Sequence, residues 1–399
     1  MRSCGEFLNK QLICISIKYV RWFFEAPNRL LLYYFYTYLD QKAESIEKFK
    51  IKSPGEKMLT IVIPTYNRGD ILTKNIDVII ANAVGANILI LDNCSTATTQ
   101  EYIELNDRVK KLANITYIRN DMNIELRGSI YKALEIVETE YALFLSDEDI
   151  PMPNISDLFS DFLKKNGSFS AIRPSIMSST NDVIYAEYPT TIFEKFNGIA
   201  PFGLTGNYIS GQIYNAYFMR ERNLINKARD ASYMIPDYTH LLMNMLCAAV
   251  GRTAFMSTPY VQKKDVAYVQ SIGDPESHAS FYTGPYSYGM RCNQFLGLRD
   301  ALLLAYGGEI NKKNISLFYS AYGNLCYKYA HLLIMVQGKS FLKNNLNLQL
   351  VAISFYHFAL ASICSFPHAG SVRGQIETHL KSTLNKFLKE VGAGSLSIS

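Results

Sequence analysis

Ala142-Leu-Phe-Leu-Ser-Asp-Glu-Asp-Ile-Pro151 is the stretch on which the reading of this chain turns. An apolar run ends abruptly in three acids, Asp147, Glu148 and Asp149. A strand covered on both faces reads as such a run, and its carboxyl end opens on the ligand side of a parallel sheet. Carboxylates crowded there repel one another unless a cation sits among them. Hard oxygen donors suit Mg²⁺ or Mn²⁺, shared with the phosphates of a ligand. The plainer alternative is a solvated acidic turn after a strand.

Upstream the pattern repeats. Leu59-Thr-Ile-Val-Ile-Pro64, Asn87-Ile-Leu-Ile-Leu-Asp92 and Ile115-Thr-Tyr-Ile-Arg119 read as strands, with Tyr141 to Ser146 as the fourth. Helical patterns fill the gaps: Asp70 to Ala83, a helix running to about Leu112, and Gly128 to Val137. Strand–helix alternation implies a parallel, doubly wound α/β sheet. Polar clusters stand at three of its strand ends: Thr65-Tyr-Asn-Arg68, Asp92-Asn-Cys-Ser95 and Ser146-Asp-Glu-Asp149. Residues 151–265 are mixed, with strands expected at Ala171 to Pro174, Asp182 to Tyr185, Gln212 to Tyr217 and Ala254 to Ser257. A strong helix is expected from Asp237 to Val250.

The organisation expected is an N-terminal helical segment (1–57), an α/β domain (58–265), a flexible loop (266–285), a C-terminal helical region (286–391) and a disordered tail (392–399). The loop is rich in Gly, Ser and Pro and long enough for a lid or linker. The C-terminal helices should break near Gly307-Gly308, Gly338 and Pro367. With 399 residues, 48% hydrophobic and 19% charged, the chain has ample material for a core. A net charge of +5 leaves no nucleic-acid footprint, but it is uneven. Residues 1–57 carry ten basic and six acidic residues, interleaved with Trp, Phe and Tyr. Such a segment can lie on an anionic membrane or pack on the body of the protein. Seven scattered cysteines without a CxxC pair point to reduced thiols in a cytosol. The longest apolar run, Leu348 to Cys364, reads as a buried helix.

Thr60-Ile-Val-Ile-Pro-Thr-Tyr-Asn-Arg68, Leu91-Asp-Asn-Cys-Ser95 and Phe144-Leu-Ser-Asp-Glu-Asp149 together resemble the GT-A fold, family 2 glycosyltransferases over residues 58 to about 260. That resemblance implies a Rossmann-like, mostly parallel sheet flanked by helices. It implies transfer, with inversion, from a nucleotide-sugar donor, UDP-linked in our reading, to a glycan or lipid-linked acceptor. The setting implied is bacterial capsule, lipopolysaccharide or related polysaccharide synthesis on the inner face of the cell membrane. Pro64, Thr65, Tyr66, Asn67, Arg68, Asp92 and Asn93 match positions that line the nucleotide. Ser146 and Asp147 extend that set, and Asp147 and Asp149 match the DxD that holds ribose, metal and diphosphate. A one-residue shift of the match would make Glu148 a ligand instead. The chain departs from the family where Asn-x-Gly-x-x-x-Asn is usual: Glu125 and Ser129 replace the glycine and the second Asn, and Arg127 would take over a phosphate contact.

Sugar transfer also needs a base for the acceptor hydroxyl. Asp237, at the start of an expected helix, is one candidate, and as an N-cap residue it has a structural explanation too. His240, about one turn on, is the other. His278 in the Gly-rich loop would complete the metal site. Gly206 and Ser210-Gly211 would let the backbone approach the acceptor sugar. Asp92 reads equally as a turn cap. Two other classes compete. A haloacid-dehalogenase-like phosphatase shares Asp-x-Asp after a strand, but it wants the motif on the first strand. A non-catalytic nucleotide- or glycan-binding domain has no need of both acids.

Overall fold

Strand β1, Leu59–Thr65, is buried along almost its whole length. The reason is pairing on both edges, parallel to β2 (Asn87–Asp92) and parallel to β4 (Tyr141–Phe144). A strand so placed has helices over both faces, and this explains why it lacks apolar–polar alternation. In the computed structural model, residues 58–178, 184–206, 208–235, 238–264, 288–307, 315–331, 348–364 and 373–390 are described.

Helix α1, Gly69–Asn82, buries Leu72, Ile76 and Ile79, a helical stripe, in the same core cluster as Ile61 and Ile63 of β1. Each such aliphatic side chain contributes about 1.5–3 kcal/mol on full burial. Helix α2 is Thr99–Val109, β3 is Ile115–Arg119 and α3 is Glu125–Ile136. Beyond β4 come β5 (Ile150–Pro151), α4 (Ile155–Asn166), β6 (Ala171–Met177), β7 (Ile184–Ala186), β8 (Thr191–Phe193) and β9 (Ile213–Asn215). Helices α5 (Ala216–Glu221), α6 (Leu224–Asp230) and α7 (Thr239–Val250) lead into β10, Thr253–Gln262.

The sheet order is β3-β2-β1-β4-β9-β6-β10-β5, with β7 on β6 and β8 on β10. The half from β3 to β4 is parallel, whereas β9 runs antiparallel to both β4 and β6. The mixed α/β fold expected from the alternation is therefore present, with the acidic cluster at the end of a central strand.

Several boundaries differ from expectation. The strand expected over Gln212 to Tyr217 stops at Asn215, because the Asn215 side chain accepts from the Phe218 amide (2.8 Å) and starts α5. Strand β10 outruns Ala254 to Ser257 by passing Pro259 through register shifts against β6. Helix α4, which the sequence reading left out, buries Ile155, Phe159 and Leu163 at i, i+4 and i+8.

The chain divides into two compact units: the sheet lies in residues 53–273, joined by 300–305, and the other unit draws on 274–299 and 306–399. The C-terminal region is helical, as expected: α8 (Tyr288–Ala305), α9 (Ile315–His331), α10 (Leu348–Cys364) and α11 (Arg373–Glu390). Phe295 packs edge-on against Tyr322, Tyr329 and Phe355 in its core. Among the described residues no helix is long and apolar enough to cross a membrane. The N-terminal segment 1–57, the loop 266–285 with His278, the tail 392–399 and Asp237 lie outside the described residues.

Candidate active site

The ends of β1, β2 and β4 bring the three polar clusters together. Thr65 closes β1 with its hydroxyl donating to Asp147 Oδ2 (2.8 Å). Its oxygen lies 2.6 Å from the Tyr102 hydroxyl, which in turn accepts from the Arg68 amide at 3.2 Å. With Thr65 committed to Asp147, Tyr102 must donate to Thr65, so a one-way hydrogen-bond chain ends on the carboxylate. Gly69 makes room for it, since a Cβ there would stand 3.1 Å from the Tyr102 ring.

Arg68 faces two of the acids. Its Nε lies 3.3 Å from Asp147 Oδ1, and its terminal nitrogen pairs with Glu148. Asn75 of α1 donates to the backbone carbonyls of Asp147 (3.1 Å) and Glu148 (3.2 Å), fixing the acidic turn from below. Asp149 is fully buried, and its oxygens accept from the Tyr208 hydroxyl (2.5 Å) and the Lys264 amide (3.0 Å). Ser146 is held by its amide donating to Ser210 Oγ (3.1 Å). Burial pushes the Asp147 carboxyl up to about 6, with Arg68 and Thr65 opposing and Glu148 and Asp149 adding to the rise. Burial also raises Asp149.

At the neighbouring strand end Asp92 is fully buried. Its Oδ1 accepts from the Ser95 amide, and its Oδ2 from Tyr117 and from Arg119 Nη1, each at 2.9 Å. Asp92 thus caps the turn after β2 and stands beside the end of β1, opposite Thr65. Asn93 Oδ1 accepts from Asn120 and from the Ile124 amide, tying β2 to the start of α3. Asn67, with φ +56, accepts from the Thr96 and Ala97 amides and pins the β1 end to the β2 loop. Pro64 is half-buried beneath this loop and Tyr66 stands 41% exposed, a ring free to meet a ligand.

Glu125 keeps φ +60, a left-handed backbone that suits the glycine it replaces. Its amide donates to Asn123 Oδ1 (2.8 Å), and its carboxylate pairs with Arg127 at 2.7 Å. Ser129 is buried. His240 sits in the first turn of α7, 5% exposed, with Nε2 3.1 Å from the Gly206 carbonyl oxygen.

The donor chemistry suits a hard divalent cation. Three carboxylates share one turn, and two of them are buried with raised proton affinity. Among the described residues no three Asp, Glu, His or Cys side chains converge to hold an ion by themselves. A cation there would take its other ligands from diphosphate oxygens and water, as Mg²⁺ usually does. The sequence reading missed Tyr102, Asn75, Tyr208 and Arg119. Only Arg119, closing a strand beside Asp92, left a signal in the sequence.

Residues 60–221 match the family described as Glycosyl transferase family 2. Residues 1–349 of S. aureus TarS, in a crystal structure, align over 84% of this chain and 91% of that one, at 13% identity and a TM-score of 0.50. The same TarS fragment in complex with UDP-GlcNAc aligns over 84% and 92% at 13% identity, TM-score 0.49. The mannosyltransferase PcManGT from Pyrobaculum calidifontis, in complex with GDP-Man and Mn²⁺, aligns over 95% and 99% at 12% identity, TM-score 0.41. The TarS fragment's likeness speaks to the fold. No curated protein matches the chain.

Proposed function

We propose that this chain, which matches glycosyl transferase family 2 over residues 60–221, is a glycosyltransferase that moves a sugar from a UDP-linked donor to a glycan or lipid-linked hydroxyl. The observation that carries this reading is the Arg68–Tyr102–Thr65–Asp147 chain. It joins the nucleotide-lining loop to the acidic turn by hydrogen bonds and an ion pair.

In this reading Pro64 to Arg68, Asp92, Asn93 and Ser146 frame the nucleotide. Tyr66 meets the base, and Asp92 holds the loop through Ser95, Tyr117 and Arg119. Arg68 and Arg127 answer the diphosphate charge. Asp147 and Asp149 would hold Mn²⁺ or Mg²⁺, with Glu148 as a further oxygen donor and His278 as the loop ligand. A bound cation would neutralise the leaving diphosphate as a Lewis acid. Asp237, two residues before α7, takes the acceptor proton. His240 orients the Gly206 peptide.

The domain plan accompanying this reading is an N-terminal membrane-docking segment (1–57), the transferase domain (58–265), a closing loop (266–285) and a C-terminal helical region (286–391). Its place would be the cytoplasmic face of the cell membrane, in surface-polysaccharide synthesis. The test is slow hydrolysis of a panel of UDP- and GDP-sugars with Mn²⁺, water replacing the acceptor. Release of free sugar and nucleoside diphosphate supports the reading. Hydrolysis of simple phosphate monoesters, with no nucleotide-sugar turnover, would refute it.

A further inference from the structure

Arg173, the third residue of β6, is 1% exposed. Its Nε and Nη1 have no hydrogen-bond partner, and it makes no ion pair among the described residues. A guanidinium does not shed its proton in a protein, so burial cannot be relieved by neutralisation. A buried cation without a partner is among the costliest features a core can hold, and it calls for a counter-charge.

What lies against it is a neutral peptide and, among the described residues, no carboxylate. Gly206 has φ +82, and a Cβ there would stand 3.1 Å from Arg173 Nε and 3.2 Å from Nη2, so the loop backbone rests on the guanidinium. The carbonyl oxygen of Gly206 lies 3.1 Å from His240 Nε2, in the first turn of α7. This 12-residue helix receives no side-chain cap from Tyr238 at its N-terminus. The first turn of α7, through His240, and the Arg173 guanidinium therefore meet the same peptide unit. Two residues on, the Tyr208 hydroxyl donates to Asp149 (2.5 Å), so a single short loop runs from the guanidinium to the acidic cluster.

We infer that Arg173, beneath the Gly206 peptide, is an oxyanion site, filled by a phosphate or carboxylate group of the acceptor. A guanidinium fork matches two oxygens of such a group. A neutral sugar hydroxyl would leave the buried charge unmet. Glycine at 206 lets the loop lie flat on Arg173. That the anion belongs to the acceptor rests on the transferase reading; the oxyanion site itself does not.

The experiment titrates inorganic phosphate, then acetate, into the full chain, both free and saturated with UDP and Mn²⁺, at constant ionic strength. Calorimetry and thermal unfolding are read for the wild type, Arg173→Met and Arg173→Lys. The wild type should bind phosphate and melt higher as its concentration rises. Arg173→Met should melt higher than the wild type without phosphate and gain nothing from it. Arg173→Lys, which keeps the charge but not the fork, should bind phosphate about tenfold more weakly. Phosphate binding that vanishes once UDP is present would assign it to the donor site and overturn the proposal. So would equal phosphate shifts in the wild type and Arg173→Met, or no shift in the wild type. UDP affinity should be unchanged in Arg173→Met. A chain that binds no nucleotide would sink the transferase reading while leaving the phosphate result to be judged separately.

Discussion

Replacing Asp147 by Asn should stabilise the protein at neutral pH and, under the proposed function, weaken nucleotide binding. Folding lifts this carboxyl from 3.8 to about 6, the net of burial against its contacts with Arg68 and Thr65. Each unit corresponds to roughly 1.4 kcal/mol, so the charged form carries a native-state cost of about 3 kcal/mol. Because the folded protein binds the proton more tightly, wild-type stability is greatest below pH ~4. It is lost as the pH rises through ~6 and stays low above that. Asp147→Asn has no proton to lose there and should not show that decline. Equilibrium urea unfolding, followed by far-UV circular dichroism at half-unit steps from pH 4 to 8, would show it. The variant's advantage over the wild type should grow by about 3 kcal/mol between pH 4 and 7. Two parallel curves, or a variant that weakens as pH rises, would refute the burial argument.

Three other outcomes are expected. Glu125→Gly should gain about 0.5–1 kcal/mol in urea unfolding, because the left-handed backbone at φ +60 no longer opposes a side chain; a loss would mean that the pairing with Arg127 outweighs the strain. Asp237→Asn should lower sugar transfer by a factor of about 100 or more with donor affinity nearly intact; near-normal turnover there, with loss in His240→Ala, would move the base to His240. In liposome flotation the full chain should bind anionic vesicles and leave them as salt rises, whereas a chain starting at residue 58 should not. Full-length protein that stays in solution at low salt would remove the membrane role of residues 1–57.

The parallel half of the sheet was legible because buried strands announce themselves as unbroken apolar runs: Asn87–Asp92 and Ile115–Arg119 begin and end where expected. The half of mixed direction was harder. Strands β5, β7, β8 and β9 have two or three residues each, too few to carry a period. At the site, side chains on the quoted motifs came together because strand ends place them. Tyr102 and Asn75 reach the same turn from helices, where an inward tyrosine or asparagine looks like any other helical residue. Arg173 was silent for a similar reason: in Ala171-Ile-Arg-Pro174 a lone arginine reads as an outward side chain, yet it lies beneath the Gly206 loop.

The central claim is that the acidic turn binds a nucleoside diphosphate through a shared cation. Calorimetry of UDP with the wild type and with Asp149→Ala, each with and without Mn²⁺, tests it most directly. We predict UDP binding that strengthens at least tenfold with Mn²⁺ in the wild type, a gain of about 1.4 kcal/mol or more, and that loses this gain in Asp149→Ala. Equal UDP affinity with and without Mn²⁺ in the wild type would contradict the account.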